Sequence, residues 1–161
     1  MKKIILVALL ANILFAGWAY VVHFLLNSHG LDVFCESTIK LNNDREGTEF
    51  NFDGTIVARF KQDLTGYIGL LGVIDRDGKH YNVSREVSFT YEPKDEDGIY
   101  GVRPNDVVTS RADTAPNEMV ERNIIGRPGV VSRYVVRHTN NNSWSIGNIY
   151  TPFMMCVDKK N

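Results

Sequence analysis

The sequence predicts a mainly β protein with one short helix, an antiparallel barrel or sandwich preceded by one transmembrane helix. Three observations carry the prediction. Residues 4–26 form one apolar run, IILVALLANILFAGWAYVVHFLL, in which only His23 can carry charge. The rest of the chain is divided by turn signals into about eight short segments, most with alternating apolar residues. Two cysteines, Cys35 and Cys156, stand near the two ends of that remainder.

A helix over the 23 residues of the apolar run would be roughly 35 Å long at about 1.5 Å per residue, enough to cross a hydrocarbon core of about 30 Å with some tilt. Lys2 and Lys3 precede the run, and no Lys or Arg follows it until Lys40. Positive charge stays on the cytoplasmic side, so the N-terminus is expected inside and the domain outside. Trp18 and Tyr20 fall in the second half, where amphipathic rings sit towards the outer interface. The competing reading is a cleaved signal peptide. Against it, Gly17-Trp18-Ala19 poorly matches a small-x-small cleavage site, and the run continues through Tyr20 to Leu26, too long for a signal core. Cys35 lies nine residues past the run, which argues against a lipoprotein. The expected division is a cytoplasmic tail over 1–3, an anchor over 4–26, a linker over 27–31 and a β-rich outer domain over 32–161. A three-residue tail holds no DNA-binding, kinase or nucleotide domain. Any effect inside the cell must then pass through a partner that spans the membrane.

The 161-residue length allows one modest domain after the anchor. Net charge is −1, and without Lys2 and Lys3 there are 16 basic and 19 acidic residues, near −3. That balance gives no basic footprint for nucleic acid. In an oxidising compartment Cys35 and Cys156 are most simply a disulfide. Closing so long a loop is worth roughly 4–5 kcal/mol on the chain-entropy account. A redox role would want a C-x-x-C pair, which is absent.

The elements follow in order. Val33 to Leu41 alternates, with Val33, Cys35, Ile39 and Leu41 on one face and Glu36, Thr38 and Lys40 on the other. Residues 42–47 read as a polar turn. Glu49 to Phe52 reads as a short strand, Asp53-Gly54 as a turn and Thr55 to Lys61 as another strand. Thr65 to Ile74 spaces glycines at 66, 69 and 72. It lacks the Gly-Lys-Ser/Thr or helix start of a phosphate loop, so a bent strand with bulges or close backbone approach is expected. Asp75-Arg76-Asp77-Gly78 closes a hairpin, and Lys79 to Pro93 returns antiparallel. Glu92 to Gly98 is an acidic loop without the alternating carboxylates of a calcium site. Val102 to Ser110 holds a short strand broken by Pro104. Thr114 to Ile124 is the one helix outside the membrane, capped by Thr114, with Pro116 in its first turn and Gly126 as its stop. Met119, Val120, Ile124 and Ile125 would face the core. Val130 to His138 and Trp144 to Tyr150 are strands. Pro152 ends the second, and Phe153 to Val157 brings Cys156 back to the core. Barrel closure would bring the first and last strands, and so the cysteines, together.

No catalytic constellation emerges. His23, His29, His80 and His138 lack ligand spacing, and Ser84 and Ser88 lack a G-x-S-x-G context. A non-enzymatic protein without cofactor or metal is expected. His80 and His138 are candidates for proton sensing, because an unperturbed histidine titrates near pH 6.5.

The ending S-W-S-I-G-N-I-Y-T-P-F-M-M-C over Ser143 to Cys156, with the early cysteine and the anchor, resembles the FidL-like family. It is similar also to the PsaF and MyfF accessory proteins of enterobacterial fimbrial regulation. The resemblance implies a bacterial inner-membrane protein with a periplasmic domain. It implies pairing with a single-pass regulator whose winged-helix domain binds DNA in the cytoplasm. By the analogy of ToxS with ToxR, the accessory protects or assembles the regulator's periplasmic domain. The same analogy implies a lipocalin-like barrel able to hold a small apolar ligand. The alternative is a stand-alone periplasmic small-ligand-binding or envelope protein.

Overall fold

The computed structural model describes residues 11–22, 30–45, 48–93, 95, 98–139 and 142–159. Residues 11–22 are helical (α1). Among the described residues no helix is long and apolar enough to cross a membrane. The rest of the expected anchor, residues 4–10 and 23–26, lies outside the described residues, as do His23 and His29.

The chain then forms eight strands: β1 (Val33–Arg45), β2 (Thr48–Phe60), β3 (Thr65–Arg76), β4 (Lys79–Tyr91), β5 (Ile99–Thr109), β6 (Ser132–Thr139), β7 (Ser143–Gly147) and β8 (Pro152–Asp158). They close as a barrel in the order β1 to β8, so the architecture is a barrel and not a sandwich. Every neighbouring pair is antiparallel, including β1 with β8. Strand direction therefore alternates. We call the end where β1 begins and β8 finishes the lower end. The β1–β2 and β3–β4 hairpins are at the upper end.

Alternation fills the interior. β2 buries Phe50, Phe52, Ile56, Ala58 and Phe60, and β4 buries Val83, Arg85, Val87, Phe89 and Tyr91. The period of two runs unbroken through Gly54, so the expected Asp53-Gly54 turn does not exist; β2 is one strand paired along its length with β1. Gly54 is opposite Gly72. A Cβ on Gly54 would meet the Leu71 carbonyl at 2.4 Å and the Phe52 ring at 2.7 Å. A Cβ on Gly72 would meet the same ring at 2.9 Å. The two glycines make room for the Phe52 ring, which explains β3's glycine spacing by close approach. The expected bulges in β3 are absent, since its register with β2 and β4 is continuous.

The bulge is in β5. Val87 is opposite Val107 and Phe89 opposite Pro104, which puts one extra residue in β5. Pro104 does not break the strand, which starts earlier than expected, at Ile99. β5 pairs with β6 only over Ile99 to Val102, so the missing N–H of Pro104 costs no second ladder. The β3–β4 hairpin has Asp77 at φ 51° and Gly78 at φ 75°, the two left-handed positions of a type I′ turn.

The helix expected over Thr114 to Ile124 is shorter than expected: α2 (Asn117–Val120) and a π-helical turn (Glu121–Ile125). Thr114 does not cap it. Its hydroxyl accepts the Asn82 amide at 2.9 Å, and Pro116 takes the N-cap place. Gly126, at φ 82°, stops it as expected. Met119, Val120 and Ile125 are buried, and Ile124 is half-buried. β7 ends at Gly147, three residues before the expected Tyr150, because the Asn148 side-chain carbonyl accepts the Tyr150 and Thr151 amides, both at 2.8 Å. Pro152 opens β8 and does not close β7.

Candidate functional site

The first feature is the joint between the first and last strands. Cys35 and Cys156 form a disulfide with their Cα atoms 5.4 Å apart. The β1–β8 register holds at two positions, Cys35 with Asp158 and Glu36 with Val157. The Lys159 amide donates to the Phe34 carbonyl at 2.7 Å just below. Above, the Ser37 hydroxyl donates to the Met155 carbonyl at 2.7 Å, and the register goes no further. Trp144 stands opposite Cys156 and donates its indole N–H to Asp158 at 3.0 Å.

The second feature is an apolar cavity of about 40 Å³. Ile56, Phe60, Leu70, Ile125, Tyr134 and Met154 are among its walls. It forms because β6, β7 and β8 have only 8, 5 and 7 residues, against 13 in β1 and β2. The short strands cover the lower half, and the π-helical turn fills part of the space above them. Burial pushes the Tyr134 hydroxyl above its ordinary value, against the smaller opposing effect of a hydrogen bond with Ser132. The cavity has room for a few atoms only.

The helical segment is held in place from inside. Arg85, on the buried face of β4, donates from Nε to Asp113 at 2.8 Å, from Nη2 to the Ala115 carbonyl at 2.8 Å and from Nη1 to Asn117 at 3.2 Å. Asp113 also accepts the Ser84 and Ala115 amides. Burial alone would raise the Asp113 carboxyl; the Arg85 guanidinium and the two amides outweigh it and hold it below the usual range. No sequence pattern announced this pair, because 28 residues separate its members.

The third feature is on the outside. Met155 and Val157 share the outer face of β8 and are 62 % and 59 % exposed. Phe153, at the register shift in β8, is 45 % exposed but packs edge-on to Tyr134 at 5.8 Å and lines the cavity. Ile149 and Tyr150, in the turn before β8, are exposed too. Met154 and Cys156 alternate with them and are buried. The signal was present in the sequence: Phe153 to Val157 is apolar at every position, more than a strand with one wet face requires.

The structure does not bring the candidate histidines together. His80 lies at the upper β3–β4 hairpin, with Nδ1 3.2 Å from Asp75 and an exposed ring. His138 lies near the lower β6–β7 hairpin, its ring edge-on to Trp144 at 4.8 Å. Among the described residues no group of His, Cys, Asp and Glu could hold a metal ion.

Fold and site together define a disulfide-closed, eight-stranded antiparallel barrel with an apolar interior and an apolar outer strip. One family model matches, that of the FidL-like putative membrane protein, over residues 72–156, more than half of the chain. The chain belongs to the FidL-like family. No curated protein and no solved structure matches it.

Proposed function

We propose that this chain is a membrane-tethered, non-enzymatic accessory protein that binds and stabilises the periplasmic domain of a single-pass, winged-helix transcription regulator of fimbrial or virulence genes. The tether is the apolar run over residues 4–26, with Lys2 and Lys3 inside and the barrel in the periplasm. Membership of a family described as membrane proteins supports that placement. The observation that carries the partner reading is the outer face of β8 and the turn before it, where Met155, Val157, Ile149 and Tyr150 meet solvent. Apolar side chains grouped on one strand face suit a protein contact better than open water.

The physical effect is mass action. A partner that binds only the folded regulator lowers the unfolded fraction that proteases capture, by about 2.7 kcal/mol at a free concentration 100 times Kd. Holding both chains in one membrane raises their effective concentration, so modest affinity suffices. The test deletes this chain and follows the regulator's half-life after synthesis is stopped. A shortened half-life is expected; an unchanged half-life with unchanged target transcription rejects the reading.

The apolar cavity favours a second reading, a stand-alone binder of a small apolar ligand. At about 40 Å³ it needs the strands or the π-helical turn to move before it could take a molecule of lipid or bile-acid size. Finding a neighbouring gene that encodes a winged helix and one membrane span would decide for the first reading.

A further inference from the structure

β1 is paired with β2 at all 13 of its positions but with β8 at only two. In an antiparallel strand the N–H and C=O of one residue point to the same side, and the side alternates along the chain. The Phe34 carbonyl is bound by the Lys159 amide on the β8 side. The backbone groups of Glu36, Thr38, Lys40 and Asn42 therefore point to that side as well. Glu36 is matched by Val157. Where Thr38 would next donate to the Met155 carbonyl, the Ser37 hydroxyl already does so. Above this stop no described strand pairs with that edge of β1. The result is a row of backbone donors and acceptors at Thr38, Lys40 and Asn42, beside the exposed side chain of Met155.

We propose that the upper edge of β1, Thr38 to Asn42, takes up one extended strand of a partner protein, with Met155 flanking the added strand. This deepens the partner reading above and rests on it for the partner's location. The unpaired backbone row specifies the occupant, because only another extended backbone matches its spacing. Inward side chains of the added strand would continue the layer of Ile39 and half-buried Leu41 and should be apolar. Outward ones would lie between Met155 and Lys40, whose ammonium is already paired with Asp53 at 2.7 Å, and should be apolar. A second copy of this chain suits the edge poorly. Antiparallel pairing of two β1 edges would place the Gly30 of one copy and the Gly30 of the other at opposite ends of the pair, although both copies hang from one membrane by their N-termini. Parallel self-pairing is head-to-tail and does not close.

The test is hydrogen exchange resolved to single amides, on the full chain purified in detergent and on the full chain in its host's membranes. In the purified chain Thr38, Lys40 and Asn42 should exchange fast, while Ile39 and Leu41, bonded to β2, exchange slowly. In host membranes the three even-numbered amides should slow by about tenfold or more, and Met155→Lys, a change at an exposed site, should abolish the slowing. Fast exchange in host membranes overturns the proposal. Slow exchange already in the purified chain overturns it too, because the edge would then be covered from within. A cross-link between two copies carrying Lys40→Cys, matching the protection, assigns the edge to self-association and overturns the partner strand. Lys40→Pro, which removes a free-edge donor but no β2 ladder bond, and Met155→Lys should each shorten the regulator's half-life. If deletion shortens it and neither variant does, the partner reading stands and the edge falls. If deletion has no effect but the amides are protected in membranes, the edge stands and the regulator reading falls.

Discussion

Arg85 and Asp113 form a two-pronged ion pair with side chains 0 % and 2 % exposed, and this pair fixes the segment that closes the top of the cavity to β4. Removing one member leaves the other charge buried without its counter-ion. Arg85→Met should cost about 3–5 kcal/mol, and Arg85→Met with Asp113→Leu should recover much of it. Urea unfolding of the three proteins measures both. A double variant no more stable than the single one would show that the pair's geometry, not its charge, matters.

The same pair sets an acid limit. The Asp113 carboxyl is held below the usual range, so its contribution is full above the unfolded value, about 3.9, and is lost as pH falls through the lower folded value. Stability should decline below about pH 4, and the decline should be shallower in Asp113→Asn. Thermal unfolding between pH 2 and 7 checks the slopes, on the order of one proton's difference.

An alkaline limit comes from the lower end. Burial pushes the Tyr91 hydroxyl up to about 12, and that hydroxyl donates to the Lys61 carbonyl at 2.6 Å. Its contribution is full below the unfolded value, about 10, and is lost as pH rises through the folded one. Tyr91→Phe should flatten the alkaline slope and cost about 1 kcal/mol at neutral pH. Tyr100 and Tyr134 are raised by burial as well, so some slope should remain.

The disulfide spans 121 positions of sequence. Cys35→Ser or Cys156→Ser should each lower stability by about 2–5 kcal/mol. Reductant should lower the wild type to the same level and leave the variants unchanged. A wild type insensitive to reductant would mean that the joint holds without its covalent bond.

Gly54 lies against the Phe52 ring and the Leu71 carbonyl, so Gly54→Ala forces a methyl group into occupied space. Overpacking there should cost about 1–3 kcal/mol. Phe52→Leu in the same chain should relieve part of it, as read by the shift in Tm.

Much of the fold was legible because a period of two marks a half-buried strand whatever its neighbours are. The alternation through β1 and β4 located both strands. Local turn chemistry misled where tertiary packing overrode it. Asp53-Gly54 has the composition of a turn, but Gly54 is small because Phe52 needs the space. Pro104 would break a central strand, yet β5 has become an edge by that point. The Arg85–Asp113 pair and the free edge of β1 were out of reach, because each depends on which distant segments become neighbours. The outer strip of β8 could have been read from five successive apolar residues. The apolar run before the barrel was plain from composition, since length and hydropathy alone define it.

The joint of β1 and β8 also sets an order of events in the life of the chain. β1 is the first strand of the barrel to be made and β8 is the last, so the ring cannot close until β8 has been made. A chain cut short before Pro152 keeps β1 to β7 but lacks Cys156 and the lower neighbour of β1. Such a fragment presents a reactive thiol and an open strand edge side by side, two features that quality-control enzymes and chaperones recognise by chemistry alone. Completing the last seven-residue strand ties up the thiol and covers the lower part of that edge at once.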